Sequence, residues 1–568
     1  MKLWKKLAIG GLSVMMLFSS VACGDTGNAG DAHQHKTVRR AGITPTCQKT
    51  GKLEHWECII DGCGKLFADS ACSQEISKTD TLLPMAPHGL TNHAKVEATE
   101  TEHGNIEYWT CGACGKYFSD AQAKNEITQE DTVDPSLISL VDFHITVPDD
   151  RDPIILQLAD PQIIDSDQKR EDDSTLNDKM IEMWKWDENI RKTRCYDYIT
   201  EIVENTKPDL ILLSGDIIYG KYDDNGRVLE DFVAFMDKLG VKWAPVMGNH
   251  DVESARGADW QCRQYENASN CLFKQGDIMG NGNYTIGIMQ GGELRRVIVN
   301  MDTNGCTGAS QASINNGHTV HHGNNSYGQP FGTYGLQKDQ VKWFNDTVSD
   351  IQKFVPDVKI SFHFHIAPNA FSEAYNEAYK SLVGSPVASV NAGKFGNAVS
   401  KELYPERVVG HREGDIGALL WLWQGGKVPD FWDTAGVHGA TDNTIFNKIK
   451  ALGTDSIFVG HYHSNSVSIM HDGIRFQFGQ KCSTYDTTQV IYEDGKISSG
   501  NVYYKNGVAT DYDGKASFTP LVGGTVNPMD KDTGELKNPY LTVAKNKEEN
   551  AKKFDLLEKS VDALFKKE

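Results

Sequence analysis

The stretch Asp209-Leu-Ile-Leu-Leu-Ser-Gly-Asp216-Ile-Ile-Tyr219-Gly220 decides the fold. An apolar run this short, bounded by Pro208 and polar residues, reads as a fully buried strand. It ends in a Gly-Asp step that leaves one carboxylate projecting from the strand's C-terminal edge, where open α/β sheets bind their ligands. Four other strand-like runs end in residue types that bind metals. They are Ile154-Ile-Leu-Gln-Leu-Ala-Asp160-Pro-Gln162 and Trp243-Ala-Pro-Val-Met-Gly-Asn249-His250-Asp251, then Val358-Lys-Ile-Ser-Phe-His363-Phe-His365 and Ser456-Ile-Phe-Val-Gly-His461-Tyr-His463. One carboxylate shared by two cations, with O and N donors around it, holds two metals about 3.5–4 Å apart. Asp216 is the candidate bridge.

Helical spacing fills the intervals. Residues 180–205 place Ile181, Trp184, Ile190, Tyr196, Ile199 and Ile202 on one side, and 228–239 and 337–344 open further helices. Asn443 is a candidate N-cap for a helix over 444–452. Strands alternating with helices predict a layered α/β architecture. Residues 143–147 read as an edge strand, and 466–470 with 474–478 as a hairpin turning at Asp472-Gly473. This domain is expected to span 140–505. The segment 506–568 then forms a C-terminal extension whose amphipathic helix carries Phe554, Leu557, Val561, Leu564 and Phe565. Residues 253–335 are the least regular part: 295–302 read as a strand ending in Asp302, the Asn/Gly-rich sequence up to Gly335 with His318, His321 and His322 is expected to be a solvated loop shaping the cleft rim, and 369–410 an insertion. Cys262 and Cys271 are candidates for a disulfide.

The 568 residues carry a formal charge of −20, which argues against a nucleic-acid surface but not against a small phosphorylated substrate, because metals supply local positive charge. Lys2, Lys5 and Lys6 precede a short apolar run, Leu7 to Phe18, as in a secretory leader. Ser20-Val-Ala-Cys23 resembles a bacterial lipobox, which implies a lipoprotein signal over residues 1–23, cleaved before Cys23 so that this cysteine is lipidated and becomes the first mature residue; a plain cleaved signal or an anchor is the alternative. Either way export is expected, with 24–32 as a tether and, on the lipobox reading, attachment to the membrane of the cell envelope.

From 33 to 136 the chain repeats itself. Glu54-His-Trp-Glu-Cys58-Ile-Ile-Asp-Gly-Cys63-Gly-Lys-Leu-Phe-Ala-Asp69 recurs as Glu107-Tyr-Trp-Thr-Cys111-Gly-Ala-Cys114-Gly-Lys-Tyr-Phe-Ser-Asp120. Two modules of about 50 residues, 33–86 and 87–136, each too small for much of a core, need a staple. Cys-x-x-Cys-Gly suits zinc. The expected donors are Cys47, Cys58, Cys63 and His35 or His33 in the first module. In the second they are Cys111, Cys114 and His88, with Glu100, His93 or His103 as the fourth. A disulfide within each pair is the alternative. The modules resemble short Cys/His repeats that precede enzymatic domains in bacterial surface proteins, which implies a structural or adhesive role.

The order Asp…Gly-Asp…Gly-Asn-His-Asp…His…Gly-His-x-His resembles the calcineurin-like metallophosphoesterases over roughly residues 150–500. The resemblance implies two β-sheets packed face to face, flanked by helices, and hydrolysis of phosphate esters at a two-metal centre. Metal one would be held by Asp160, Asp216 and His463, and metal two by Asp216, Asn249, His365 and His461. Gln162 stands where many members have a histidine. Tyr219 offers a replacement, since Gly-Asp-x-x-Tyr resembles purple acid phosphatases, whose tyrosinate binds Fe(III); otherwise Tyr219 is a packed aromatic and Gln162 a weak ligand or substrate contact. His363 and His365 share a strand face; the resemblance to a His-x-Pro step favours His365 as ligand. Fe, Zn or Mn would lower the pKa of a bound water and so generate a hydroxide nucleophile. His250 would protonate the leaving group, oriented by Asp251. His411, Arg412 and His438 are candidate substrate contacts. The implied function is an exported phosphomonoesterase. A phosphodiesterase on the same site, or a surface-binding protein with an inactive domain, are the alternatives.

Overall fold

A computed structural model of the chain divides into two compact units, one of Met1–Ala98 with His103–Asp134 and one of Thr99–Glu102 with Pro135–Glu568. The structure describes residues 34–169, 176–303, 338–368 and 444–543, apart from 224, 279, 464–467, 493–496 and 506–507, together with pieces at 20–22, 336, 370–371, 374 and 408–409. Cys23, His318, His321, His322, His411, Arg412, His438 and the expected helix near the C-terminus lie outside the described residues.

Apart from Thr99–Glu102 and residues 135–136, both sequence repeats belong to the first unit, and each builds the same small antiparallel sheet. In the first repeat Lys36–Arg40, His55–Cys58, Leu66–Phe67 and Glu75–Ile76 pair in succession; Leu90–His93, Tyr108–Cys111, Tyr117–Phe118 and Glu126–Ile127 do so in the second. Ser20–Ala22, inside the leader-like segment, adds a strand beside Lys36–Arg40. Phe67 and Phe118 are buried at equivalent positions, the small apolar centre of each repeat.

The second unit contains a five-stranded and an eight-stranded sheet. Lys242–Pro245, Leu210–Leu213 and Ile154–Leu158 run parallel in the first. Glu293–Asn300, Lys359–His363, Thr454–Val459 and Ile474–Phe478 run parallel through the second. All four residues of Leu210–Leu213 are fully buried, each side chain contributing roughly 1.5–3 kcal/mol of transfer free energy. One continuous core joins Leu156 and Leu212 of one sheet to Ile288 and Phe458 of the other, with Ile199, Phe232 and Tyr265 from the flanking helices Asp197–Thr206, Arg227–Lys238 and Ala258–Asn267. The amide of Gln157 crosses between sheets, donating to Ser214 Oγ at 2.9 Å and to the Val459 carbonyl at 3.0 Å. Truncating Leu212 to alanine is expected to lower unfolding free energy by about 2–5 kcal/mol, measured by urea titration, because so central a void cannot collapse.

Three expectations need correction. The helical run over 180–205 is broken into Asp178–Met183, Glu188–Arg191, a π-helical turn Lys192–Tyr196 and Asp197–Thr206. Asp187 interrupts it by accepting from the N–H groups of Asn189 and Ile190, which starts a new helix. The boundary at 505 also falls inside the sandwich, because Gly523–Pro528 pairs antiparallel with Ile154–Leu158 and carries Tyr540–Val543 beside it. Cys262 and Cys271 are both free and buried. The hairpin is present as Ser468–His471 and Ile474–Phe478, with Asp472 and Gly473 at φ of 51° and 78°, the conformation a two-residue turn demands.

Candidate active site

The parallel strands of both sheets end on the same group of side chains. Asp160, Asp216 and Asn249 follow three strands of one sheet, and His365, His461 and His463 follow two strands of the other. Donor atoms of Asp216, His365 and His461 lie within 4.8 Å of one another, as do those of Asp160, Asp216 and His463. Asp216 is common to both groups. Its Oδ2 is 3.4 Å from His365 Nε2, which is 3.0 Å from Asn249 Oδ1. His463 Nε2 is 3.6 Å from Asp160 Oδ1.

The backbone is strained to achieve this. Asp160, Gln162, Asp216, His461 and Asp486 all have positive φ, between 43° and 70°. Such residues cost about 1–3 kcal/mol each and gather where function requires them. Two glycines allow the loops to close. A Cβ on Gly215 would lie 2.5 Å from His365 Nδ1, and one on Gly248 would strike the Asp216 carboxylate. Gly248→Ala is therefore expected to displace Asp216, cutting metal content and turnover while leaving the apolar core folded; elemental analysis beside circular dichroism checks this.

Electrostatics explain why the donors suit cations. Burial pushes the Asp160 carboxyl up to about 7, whereas at Asp216 the positive charge on His365 and then His250 outweighs burial and holds the carboxyl below the usual range. Burial, then His365, lowers His461 to about 3 and keeps its ring neutral, the form that coordinates metals. Two buried carboxylates flanked by three imidazoles and an amide oxygen make an oxygen and nitrogen donor set that fits two borderline or hard cations. His365 Nδ1 donates to the Ser214 carbonyl at 2.6 Å, which leaves Nε2 facing the other donors.

His363 is fully buried outside this group, its Nδ1 2.8 Å from Asn300 Oδ1 and its Nε2 3.0 Å from Ser214 Oγ. It braces the Ser214 segment. The Gln162 amide is held at both ends. Its Nε2 donates to Asp216 Oδ2 at 3.2 Å, and its Oε1 accepts from the buried Lys481 ammonium at 3.0 Å. Lys481 also donates to the Asp160 carbonyl at 2.7 Å. Nothing in the sequence marked this lysine, which follows the hairpin far from the other motifs. Tyr219 stacks on His250 with ring centroids 4.0 Å apart, and burial, then Asp486, pushes its phenol well above the ordinary value.

His250 lies beside the donors as expected, its N–H donating to Asp216 Oδ1 at 2.7 Å. Its ring partner differs from the expectation. Asp251 is turned beneath the loop, accepting from Ile217 and Ile218 N–H at 2.9 and 3.2 Å and from Gly248 N–H at 2.7 Å. Those bonds leave it no contact with the imidazole. Glu253, one turn on, sits 2.8 Å from His250 Nδ1, and despite burial it and Asp216 raise the ring to about 10. The i, i+3 spacing on the turn Asp251–Glu253 was the available signal. Asp486 Oδ2, likewise unforeseen, is 3.4 Å from His463 Nδ1 and orients that ring.

Residues 154–390 match the model of the calcineurin-like phosphoesterase family. No curated protein sequence matches the chain. Among solved structures, a dimetal phosphatase from Danio rerio is 11% identical with a TM-score of 0.32, covering 66% of this chain and 99% of its own. A 5'-nucleotidase precursor from Thermus thermophilus is 13% identical with a TM-score of 0.27, covering 72% of this chain and 59% of its own. The purple acid phosphatase PPD1 from yellow lupin (Lupinus luteus) is 8% identical with a TM-score of 0.25, covering 89% and 74%. Such likenesses are distant. The family match stops short of His461 and His463, which complete the donor groups in space. Residues 154–390 thus belong to the calcineurin-like phosphoesterases, and the chain is a metal-dependent phosphoric ester hydrolase.

Proposed function

We propose that the protein hydrolyses phosphate monoesters at this centre, outside the cytoplasm. The carrying observation is that Asp216 belongs to both donor groups, with His250 held by Glu253 on the same loop. Two cations bound there, from among Fe, Zn and Mn, would supply an activated water and neutralise the phosphoryl oxygens. The chain's own residues do the rest. Asp216 fixes the loop of His250 through the backbone N–H. Glu253 keeps the imidazole turned and charged so that its Nε2 can pass a proton to the departing alkoxide. Tyr219, stacked on that ring, stops it swinging away.

The substrate preference is tested with metal-reconstituted protein on p-nitrophenyl phosphate and bis-p-nitrophenyl phosphate. Faster turnover of the first is expected; the reverse would assign a phosphodiesterase, and turnover of neither would leave a binding protein. We further propose lipid attachment at Cys23 to the cell envelope. Cys23→Ala should then move the protein from the membrane to the soluble fraction.

A further inference from the structure

The second Cys/His repeat is completed by a cysteine from the first. Cys47 Sγ lies 3.8 Å from Cys111 Sγ, and Cys114 Sγ lies 3.5 Å from His88 Nδ1. All four donor atoms fall within 4.8 Å of one another. A disulfide would bring two sulfurs to about 2.05 Å. Tetrahedral zinc, with Zn–S about 2.3 Å and Zn–N about 2.0–2.1 Å, instead sets S···S near ~3.8 Å and S···N near ~3.5 Å. Both separations agree.

The surrounding backbone supports an anionic sulfur. Cys111 Sγ is approached by His88 and by the N–H groups of Cys114 and Ala113, donors that suit a thiolate. Gly115 at φ +72° lets the Cys111–Cys114 turn close, its N–H donating to the Cys111 carbonyl at 2.8 Å. His88 rests on Phe118 with centroids 4.7 Å apart. Cys47 is delivered by the turn whose Thr46 N–H donates to the Lys49 carbonyl at 2.9 Å. The Ala86 N–H donates to the Thr46 carbonyl at 3.1 Å, which ties that turn to the segment entering His88.

Cys47 is thus grouped with the second repeat, not its own, and stands where Glu100, His93 or His103 was expected as the fourth donor. His93 is engaged elsewhere, stacked on Tyr108 and 2.9 Å from Thr110 Oγ1. The group within the first repeat is His35, Cys58 and Cys63, with His35 on Phe67 at the same 4.7 Å and Cys63 Sγ 3.5 Å from His35 Nδ1. The two repeats thus place one histidine and a cysteine pair alike, although the pair is spaced Cys-x4-Cys in the first and Cys-x2-Cys in the second, and only the second group includes a cysteine from the other repeat.

We propose that Cys47, His88, Cys111 and Cys114 bind one structural zinc ion that fastens the two repeats into a single folding unit. Cysteine alkylation followed by peptide mass mapping tests this on the zinc-loaded full-length protein, before and after chelation. Cys47, Cys111 and Cys114 should react at least about tenfold more slowly with zinc present and become reactive together on its removal. Equal Cys47 rates in both states, or recovery of Cys47 in a reducible disulfide, would overturn the proposal. Cobalt(II) gives a second reading that ignores the phosphatase centre, which has no sulfur donor in its two groups. In a Cys58→Ser/Cys63→Ser chain, adding Cys47→Ser should remove about one third of the sulfur-to-cobalt absorption or abolish binding, since one of three thiolates is lost; an unchanged spectrum would exclude Cys47 as a ligand.

Discussion

Asp216→Ala is expected to leave the purified protein almost free of metal at the phosphatase centre and to lower turnover at least about a thousandfold, since loss of metal-ion catalysis removes several kcal/mol and each 1.36 kcal/mol is tenfold. Both donor groups depend on this one carboxylate, so neither cation keeps a full set without it. Asp216→Asn retains an oxygen able to accept the His250 N–H and is the variant that separates lost charge from lost shape. Elemental analysis decides the matter. If Asp216→Ala kept two equivalents of metal at this centre, the shared bridge would be refuted.

The second large effect falls on His250. Its ring lies beside the donors without belonging to either group, so His250→Ala should retain metal yet lose roughly 10²–10⁴ in kcat, the range of a positioned general acid. The loss should depend on the leaving group. An alkoxide needs a proton to depart, whereas p-nitrophenolate leaves well without one, so an alkyl phosphate should suffer more. Equal losses on both substrates would reduce His250 to a structural part of the loop. Glu253→Gln should follow the same pattern more weakly, because the glutamine still accepts from Nδ1 but no longer favours the charged ring.

The reach of the sequence was set by how local each signal is. Strand-end residues such as Asp160, Asp216 and His365 were legible because a buried strand declares itself over a few residues and its terminal carboxylate or imidazole comes next. The contacts that finish the site were not. Lys481 reaches Asp160 and Gln162 across more than 300 positions, and no spacing rule connects them. Asp251 looked like the partner of its neighbour His250, but a short turn points it under the loop and brings Glu253 round instead. The error over Cys47 had a different source. Repeats invite the assumption that each copy is closed, whereas a pair too small to hold separate cores gains by sharing a donor. The strand Gly523–Pro528 was missed because a run with two glycines carries a weak apolar signature, and only its pairing with Ile154–Leu158 reveals it.

That last pairing governs when the enzyme is born. Ile154–Leu158, the strand that delivers Asp160, is flanked by Leu210–Leu213 on one side and by Gly523–Pro528 on the other. A nascent chain emerging N-terminus first must leave this strand's second edge bare until Gly523–Pro528 has followed, and such an edge invites foreign partners. A polypeptide cut short before Gly523 would carry every candidate donor of the phosphatase centre and still lack the neighbour that seals the sheet beneath them.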